Sequence, residues 1–154
     1  MTTKILPLTK KDLPFLYTAL QKDLKEQHVL HRFQYSEVEF SLLFFGPQPI
    51  AKALILWTDK EPIGFAIYNI DHRNFTTNRG PNLYLNDLYV KAECRRQGGA
   101  TLLLKTLQNI AKQNGCGRIE WLVQPENKAA QALYKRYSIH NMNAVLNHIR
   151  MVLA

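Results

Sequence analysis

Leu85-Asn86-Asp87-Leu88-Tyr89-Val90 leads through Cys94-Arg95-Arg96-Gln97-Gly98-Gly99-Ala100 into Thr101 to Ala111, where Leu102, Leu103, Leu104, Leu107 and Ile110 recur at helical spacing. A strand, a glycine turn and a helix start are therefore written in one continuous piece. That junction restricts the chain to folds in which a strand hands directly to a helix. It also gathers unpaired backbone N–H groups, the positive end of a helix and two arginines around one point, an arrangement suited to a pyrophosphate. Gly98 and Gly99 let an anion approach the amides without meeting a Cβ. The turn lacks the Gly-Lys-Ser/Thr ending of an ATP-type phosphate loop and the Gly-x-Gly-x-x-Gly of a dinucleotide fold, so neither reading fits. On the turn alone, a plain strand-to-helix connection with solvated arginines stays open.

Periodicity organises the rest. Thr9 caps a helix over Lys10 to Lys25, with Leu13, Leu16, Tyr17, Leu20 and Leu24 on one face. A shorter helix follows Ser36, with Val38 and Leu42 expected inward, and ends before Gly46-Pro47. Ala51 to Thr58 and Ile63 to Ile70 form a hairpin around Asp59-Lys60-Glu61-Pro62, and 71–81 is a loop. Leu83 to Val90 is the central strand and Arg118 to Val123 a further one after the Asn114-Gly115 helix stop. Asn127 to Tyr137 is the next helix, and Ala144 to Leu153 the last strand. Strands alternating with helices predict an α/β fold with a parallel or mixed sheet.

Three blocks resemble the GNAT superfamily of acetyl-coenzyme A-dependent N-acetyltransferases. Leu88-Tyr89-Val90 with Arg95-Arg96-Gln97-Gly98-Gly99-Ala100 matches its Arg/Gln-x-x-Gly-x-Gly/Ala signature. Asn127-Lys128-Ala129-Ala130-Gln131-Ala132-Leu133-Tyr134-Lys135 resembles its Asn-x-x-Ala-x-x-Leu/Phe-Tyr stretch, and Glu61 to Tyr68 a strand of its N-terminal hairpin. Within the superfamily, Gly64 to Tyr68, Leu83 to Val90 and Gly115 to Trp121 are most similar to the diamine (spermidine/spermine) acetyltransferase branch.

The resemblance implies a mixed, mostly antiparallel sheet with a splayed central strand pair and helices on both faces, in a single domain over 1–154. It also implies acetyl-coenzyme A as cosubstrate. Leu88, Tyr89 and Val90 would pair with the pantetheine arm, beside a bulge near Asn86 to Leu88. Arg95, Arg96, Gln97, Gly98, Gly99 and Ala100 would cradle the pyrophosphate. Asn127, with Lys128, Ala129 and Ala130, would hold the arm, although Asn127 also has the residue type of a helix cap.

The implied reaction is attack of a neutral primary amine on a thioester with departure of a thiolate. An alkyl ammonium must first lose a proton, and the leaving sulfur benefits from an acid. By its place in the resembling stretch Tyr134 is the candidate general acid; a packed core aromatic is the alternative. Glu26, Asn86 and Asp87 fall where the branch contacts its amine. Asp87 could relay a proton through water or simply anchor a loop, and Asn86 stands where polyamine enzymes carry a glutamate, so polyamine specificity is not carried over. A smaller amine, an amino acid side chain or a protein lysine remain open as acceptors, and so does a catalytically silent acetyl-coenzyme A-binding regulatory module.

Composition narrows the field further. The chain has 154 residues, 46% apolar content and a formal net charge of +8, within the range of one globular domain. Its lysines are scattered rather than blocked, which argues against nucleic acid as partner, and Arg95 and Arg96 are better explained by an anionic cofactor. Two cysteines and five histidines without ligand spacing predict reduced thiols and no metal. Apolar runs too short for a membrane and a start unlike a leader predict a cytoplasmic protein. The apolar stretch 149–153 permits a homodimer.

Overall fold

A computed structural model of the chain describes residues 2–123 and 127–136. It divides into two units, Met1–Leu122 and Val123–Ala154.

The first unit is built on five strands in sequential order: β1 (Thr3–Pro7), β2 (Lys52–Thr58), β3 (Glu61–Asp71), β4 (Asn82–Val90) and β5 (Arg118–Trp121). The first four pair antiparallel and β4 pairs β5 parallel, a mixed, mostly antiparallel sheet. Alternation along the strands separates two apolar faces. Ala53, Ile55, Phe65, Ile67 and Tyr89 face α1 (Leu13–Glu26) and α2 (Glu37–Phe45), whose Leu16, Ala19, Leu20, Phe40 and Phe44 complete that core. Leu54, Leu56, Ala66, Leu83, Leu85 and Val90 have the opposite parity. They are covered by α3 (Gly99–Gln113), which buries Leu103, Leu104, Leu107 and Ala111.

Local chemistry sets the helix ends. Thr9 donates from its N–H and Oγ1 to Asp12 Oδ2, at 2.9 and 2.8 Å, closing a short 3₁₀ turn before α1 begins at Leu13-Pro14. Ser36 and Glu39 form a reciprocal capping box at α2. The orientation of α2 corrects one expectation. Val38 and Leu42 are 71% and 52% exposed, whereas Phe40 and Phe44, four apart, point inward. Tyr17 and Phe33 meet Phe40 at ring-centroid distances of 5.5 and 5.8 Å, so aromatic area rather than branched aliphatic side chains decides which face is buried.

The N-terminal strand β1 had no sequence expectation. It lies at the sheet edge, paired from Thr3↔Thr58 to Pro7↔Leu54, with an almost wholly exposed surface.

In the second unit, α4 spans Lys128–Arg136, and Ala130 N–H donates to Asn127 Oδ1 at 3.1 Å, so Asn127 does cap the helix. Tyr137 and the strand expected over 144–153 lie outside the described residues. Among the described residues no helix is long and apolar enough to cross a membrane.

Candidate active site

Two features of β4 open a site beside it. Along its β3 side, Ile67 pairs with Asp87 but Tyr68 pairs with Leu85. Asn86 is therefore an extra residue, a bulge at the place expected from the resemblance. Along its other side, pairing with β5 runs from Asn82↔Arg118 to Leu85↔Trp121 and stops there, although β4 continues to Val90. β5 itself ends at Trp121, so beyond the bulge the backbone of Leu88, Tyr89 and Val90 has no β5 partner among the described residues. This is the splayed strand pair.

Beyond Val90, a 3₁₀ turn over Ala92–Cys94 brings the chain to Arg95. Arg96 and Gly98 then adopt left-handed backbone, with φ of 62° and 86°. A Cβ at Gly98 would have nothing within 4 Å, so the turn is open above it. At Gly99 a Cβ would sit 2.7 Å from Leu56 Cδ2, with Val90 also in contact, and the missing side chain lets the start of α3 press onto the sheet. The first N–H to close back into the helix is that of Leu102, to Gly98 O at 3.0 Å. The amides of Gly99 and Ala100 lie ahead of that bond, at the positive end of the helix. An open glycine turn at a helix start and an adjacent strand edge without a β5 partner fit a diphosphate and an extended amide-bearing arm.

Arg95 does something the sequence did not reveal. Its Nε donates to Val90 O at 2.8 Å, its Nη2 meets Glu26 Oε2 at 2.7 Å, and its guanidinium carbon lies 5.5 Å from the centre of the Tyr89 ring. The side chain thus latches the turn to the end of α1. The ion pair is roughly half exposed on both sides and contributes little by itself, about 0–1 kcal/mol. Its value lies in geometry: it joins Glu26, Tyr89, Val90 and Arg95, all four expected at the site.

Behind this latch lies a group of carboxylates. Asp87, directly after the bulge, is half-buried on the α1 side of the sheet, and burial raises its carboxyl to about 6. Asp23, on α1, is only 6% exposed; burial raises it to about 7, against the opposing hydrogen bond from Gln27 and with added repulsion from Asp87 and Glu26. Gln27 Nε2 donates to Asp23 Oδ1 at 2.9 Å, while Asp23 Oδ2 is buried with no hydrogen-bond partner. Asn86 Nδ2 donates to Asn69 Oδ1 at 2.8 Å, and burial raises the Tyr89 phenol.

Asp23 was not among the residues expected at the site. The signal was there: with Leu16, Ala19 and Leu20 it completes an i, i+3, i+4, i+7 stripe, and a carboxylate on an apolar stripe calls for a reason.

The remaining expected residues lie in the second unit. Lys128, Ala129 and Ala130 form the first turn of α4 after Asn127, and Tyr134 is half-buried on the same helix. A recess of about 670 Å³ lined by His72, Phe75 and Arg79 belongs to the β3–β4 loop, at the other end of β4, and has no part in this arrangement.

Comparison with known proteins agrees with the geometry. A thialysine N-epsilon-acetyltransferase from Bos taurus is 35% identical over 96 residues, 59% of this chain and 56% of that protein, so the match spans little more than half the relative's length. The crystal structure of a probable acetyltransferase superposes with a TM-score of 0.80 at 20% identity, over 98% of this chain and 99% of the other. An aminoglycoside acetyltransferase from an uncultured soil metagenomic sample gives 0.76 at 17% identity over the whole of both chains. The model of the Acetyltransferase (GNAT) family matches residues 13–138, and with a bulged, splayed β4 running into the glycine turn the chain belongs to that family.

Proposed function

We propose that the protein is an N-acetyltransferase that moves the acetyl group of acetyl-coenzyme A to a primary amine. The observation that carries this reading is the end of the β4–β5 ladder at Leu85, directly upstream of the open turn at Gly98. A strand edge and an anion-binding helix end in series suit a long ligand with an amide-bearing arm and a diphosphate. In this reading Leu88 to Val90 pair with the arm and the amides of residues 96–100 take the diphosphate. Arg96 adds charge and Arg95 braces the turn through Glu26, while the assignment of Asn127 to Ala130 to the arm rests on the family stretch alone.

Acetyl-coenzyme A supplies an activated acyl group when bound; the chain's own residues move the protons. Asp87, desolvated beside the bulge, is suited to accept the ammonium proton directly or through water. Tyr134 carries a phenol, a group chemically suited to protonate a departing sulfur. What supports Tyr134 is its position seven residues after Asn127 in the family stretch. For the acceptor, the name of the bovine relative favours the terminal amine of a basic amino acid or a similar small amine. A single domain over the whole chain, a homodimer and a cytoplasmic setting complete the reading.

A thiol-release assay with acetyl-coenzyme A and a panel of thialysine, ornithine, lysine, small diamines and lysine peptides tests it. Release with at least one amine is expected. Tyr134→Phe should lower turnover about 100-fold while leaving the KM for acetyl-coenzyme A within about twofold. Full turnover in that variant would leave Tyr134 a packing role. Cofactor binding without thiol release from any amine would make the protein a silent binding module.

A further inference from the structure

The α1 side of the sheet changes character at the bulge. Along β3, apolar Phe65 and Ile67 give way to Asn69 and Asp71. Along β4, Leu83 and Leu85 turn to α3, so Tyr84 and Asn82 share the α1 side. The two rows stand in register, Asn69 opposite Tyr84 and Asp71 opposite Asn82. Asn86, the extra residue, is exposed and joins them through its bond to Asn69. A polar surface therefore begins at the bulge, on the face that also carries Asp87.

A fixed cation stands over that surface. Arg73 belongs to the β3–β4 loop, but its guanidinium reaches back over β4, with its carbon 4.6 Å from the centre of the Tyr84 ring. Its Nε donates to Asp71 Oδ2 and its N–H to Asp71 Oδ1, both at 3.0 Å. Its carbonyl accepts from Arg118 Nη2 at 2.6 Å. The Arg118 side chain is only 8% exposed and is paired with Glu120, while Asn82 Nδ2 steadies Asp71 at 3.4 Å.

These contacts leave one edge of the guanidinium open. Asp71 takes the Nε side, neither Nη atom meets an acceptor among the described residues, and the side chain is 53% exposed. An arginine braced at its base and stacked on a ring, with its two-nitrogen edge free, is preorganised to take a carboxylate by two parallel bonds. The pair with Asp71 does not cancel this, because an ion pair at the surface is screened and weak. Tyr84 lies two residues upstream of the bulge, about 7 Å along a strand. That matches the span from the terminal amine to the carboxylate of a lysine-length amino acid. With the reacting amine beside Asp87, the other end of such a molecule reaches Arg73.

We propose that Arg73 binds the α-carboxylate of the acceptor, with Asp71 and Arg118 as positioning residues, so that the acceptor is a free basic amino acid. The proposal rests on the amine-acetylating reading and narrows its substrate class. A diamine brings a like charge to the guanidinium, and a lysine inside a peptide brings only a neutral amide.

The test compares acceptors that differ in that one group: L-thialysine, its primary amide and its decarboxylated diamine. Thiol release is followed at saturating acetyl-coenzyme A in about 0.15 M salt, where the general field of the chain is screened. L-thialysine should exceed the other two in kcat/KM by about tenfold or more, through KM. Arg73→Met keeps an unbranched stem over Tyr84 and should raise the KM for L-thialysine about tenfold, with its kcat, the KM for the amide and the KM for acetyl-coenzyme A within about twofold of the parent. Arg73→Lys should recover part of the preference, since it keeps the charge and loses the fork.

Equal efficiency of acid and amide in the parent, or a preference that survives Arg73→Met, would overturn the subsite. So would a uniform loss over all three acceptors in both variants, which is what a purely structural Arg73 would give. Absence of thiol release from every acceptor is a failure of the parent reading instead. Calorimetry on the coenzyme A-saturated chain then decides the subsite: L-thialysine about tenfold tighter than its amide in the parent and level with it in Arg73→Met supports it, and equal binding in the parent overturns it.

Discussion

Asp23 shows how one residue can work against the stability of the fold that holds it. Its carboxyl is raised from 3.8 to about 7 when folded. Between those limits the native state binds more protons than the unfolded chain, so stability falls as pH rises through the window and the full cost is reached above about pH 7. Asp23→Asn removes the buried charge and keeps the acceptor for Gln27, but buries an amide donor where Oδ2 now sits, which offsets part of the gain. The variant should be more stable than the parent by about 2 kcal/mol near pH ~8, with the advantage gone below pH ~4. Urea unfolding at the two pH values checks this, and equal stabilisation at both would mean that Asp23 is not the titrating group. Asp87 and Arg95 fall inside stretches that resemble the family and could be named from them, whereas Glu26 was named only from where the branch places an acidic residue near the end of the first helix. Asp23 was not legible, because a lone carboxylate among apolar helix positions has no spacing motif of its own, and only the packing of α1 shows it to be buried. The Arg95–Glu26 latch was equally hidden, since 69 residues separate its partners.

Among the elements, the strands with apolar runs or a preceding helix stop were readable, and the exposed β1 was not. β2 and β3 carry apolar runs, and β4 leads into a helix with leucines at i, i+1, i+2 and i+5, so their boundaries follow from pattern. β1 is exposed almost throughout and is held by backbone pairing to β2, an interaction that leaves no trace in side-chain chemistry. For α2, both faces are apolar in sequence, and only the packing of Phe40 against Tyr17 and Phe33 fixes which one turns in. The bulge at Asn86 was legible only through the resemblance. Deleting Asn86 would restore simple alternation, with Leu85 still toward α3 and Asp87 still toward α1, so both cores keep their residues. The deletion should therefore fold, with a melting temperature within a few degrees of the parent, about 5 °C, yet bind coenzyme A at least about tenfold more weakly because the strand no longer bends away from β5. Normal coenzyme A affinity in that variant would show that the gap does not depend on the bulge.

At the scale of the whole molecule, a formal net charge of +8 surrounds a site proposed to take a polyanionic cosubstrate and a cationic acceptor. The global field favours the first and opposes the second, so the acceptor needs local carboxylates to reverse the sign of its surroundings. Raising ionic strength from roughly 0.02 to 0.3 M should lower kcat/KM for acetyl-coenzyme A about three- to tenfold and leave that for the amine level or slightly improved. Stopped-assay kinetics at fixed pH check it, and parallel losses for both substrates would argue against a field of opposite consequence for each. The fold class and the turn were legible at this scale because strand, glycine pair and leucine helix are contiguous. The meeting of α1 with β4 was not, because it depends on a crossover that brings distant segments together. Gly99, pressed against Leu56 and Val90, ties the first turn of α3 to the middle of the sheet. Whatever quiets the amides of that turn must also quiet β2, so occupancy of the site can be heard at a distance, as slowed deuterium uptake in a strand the ligand never reaches.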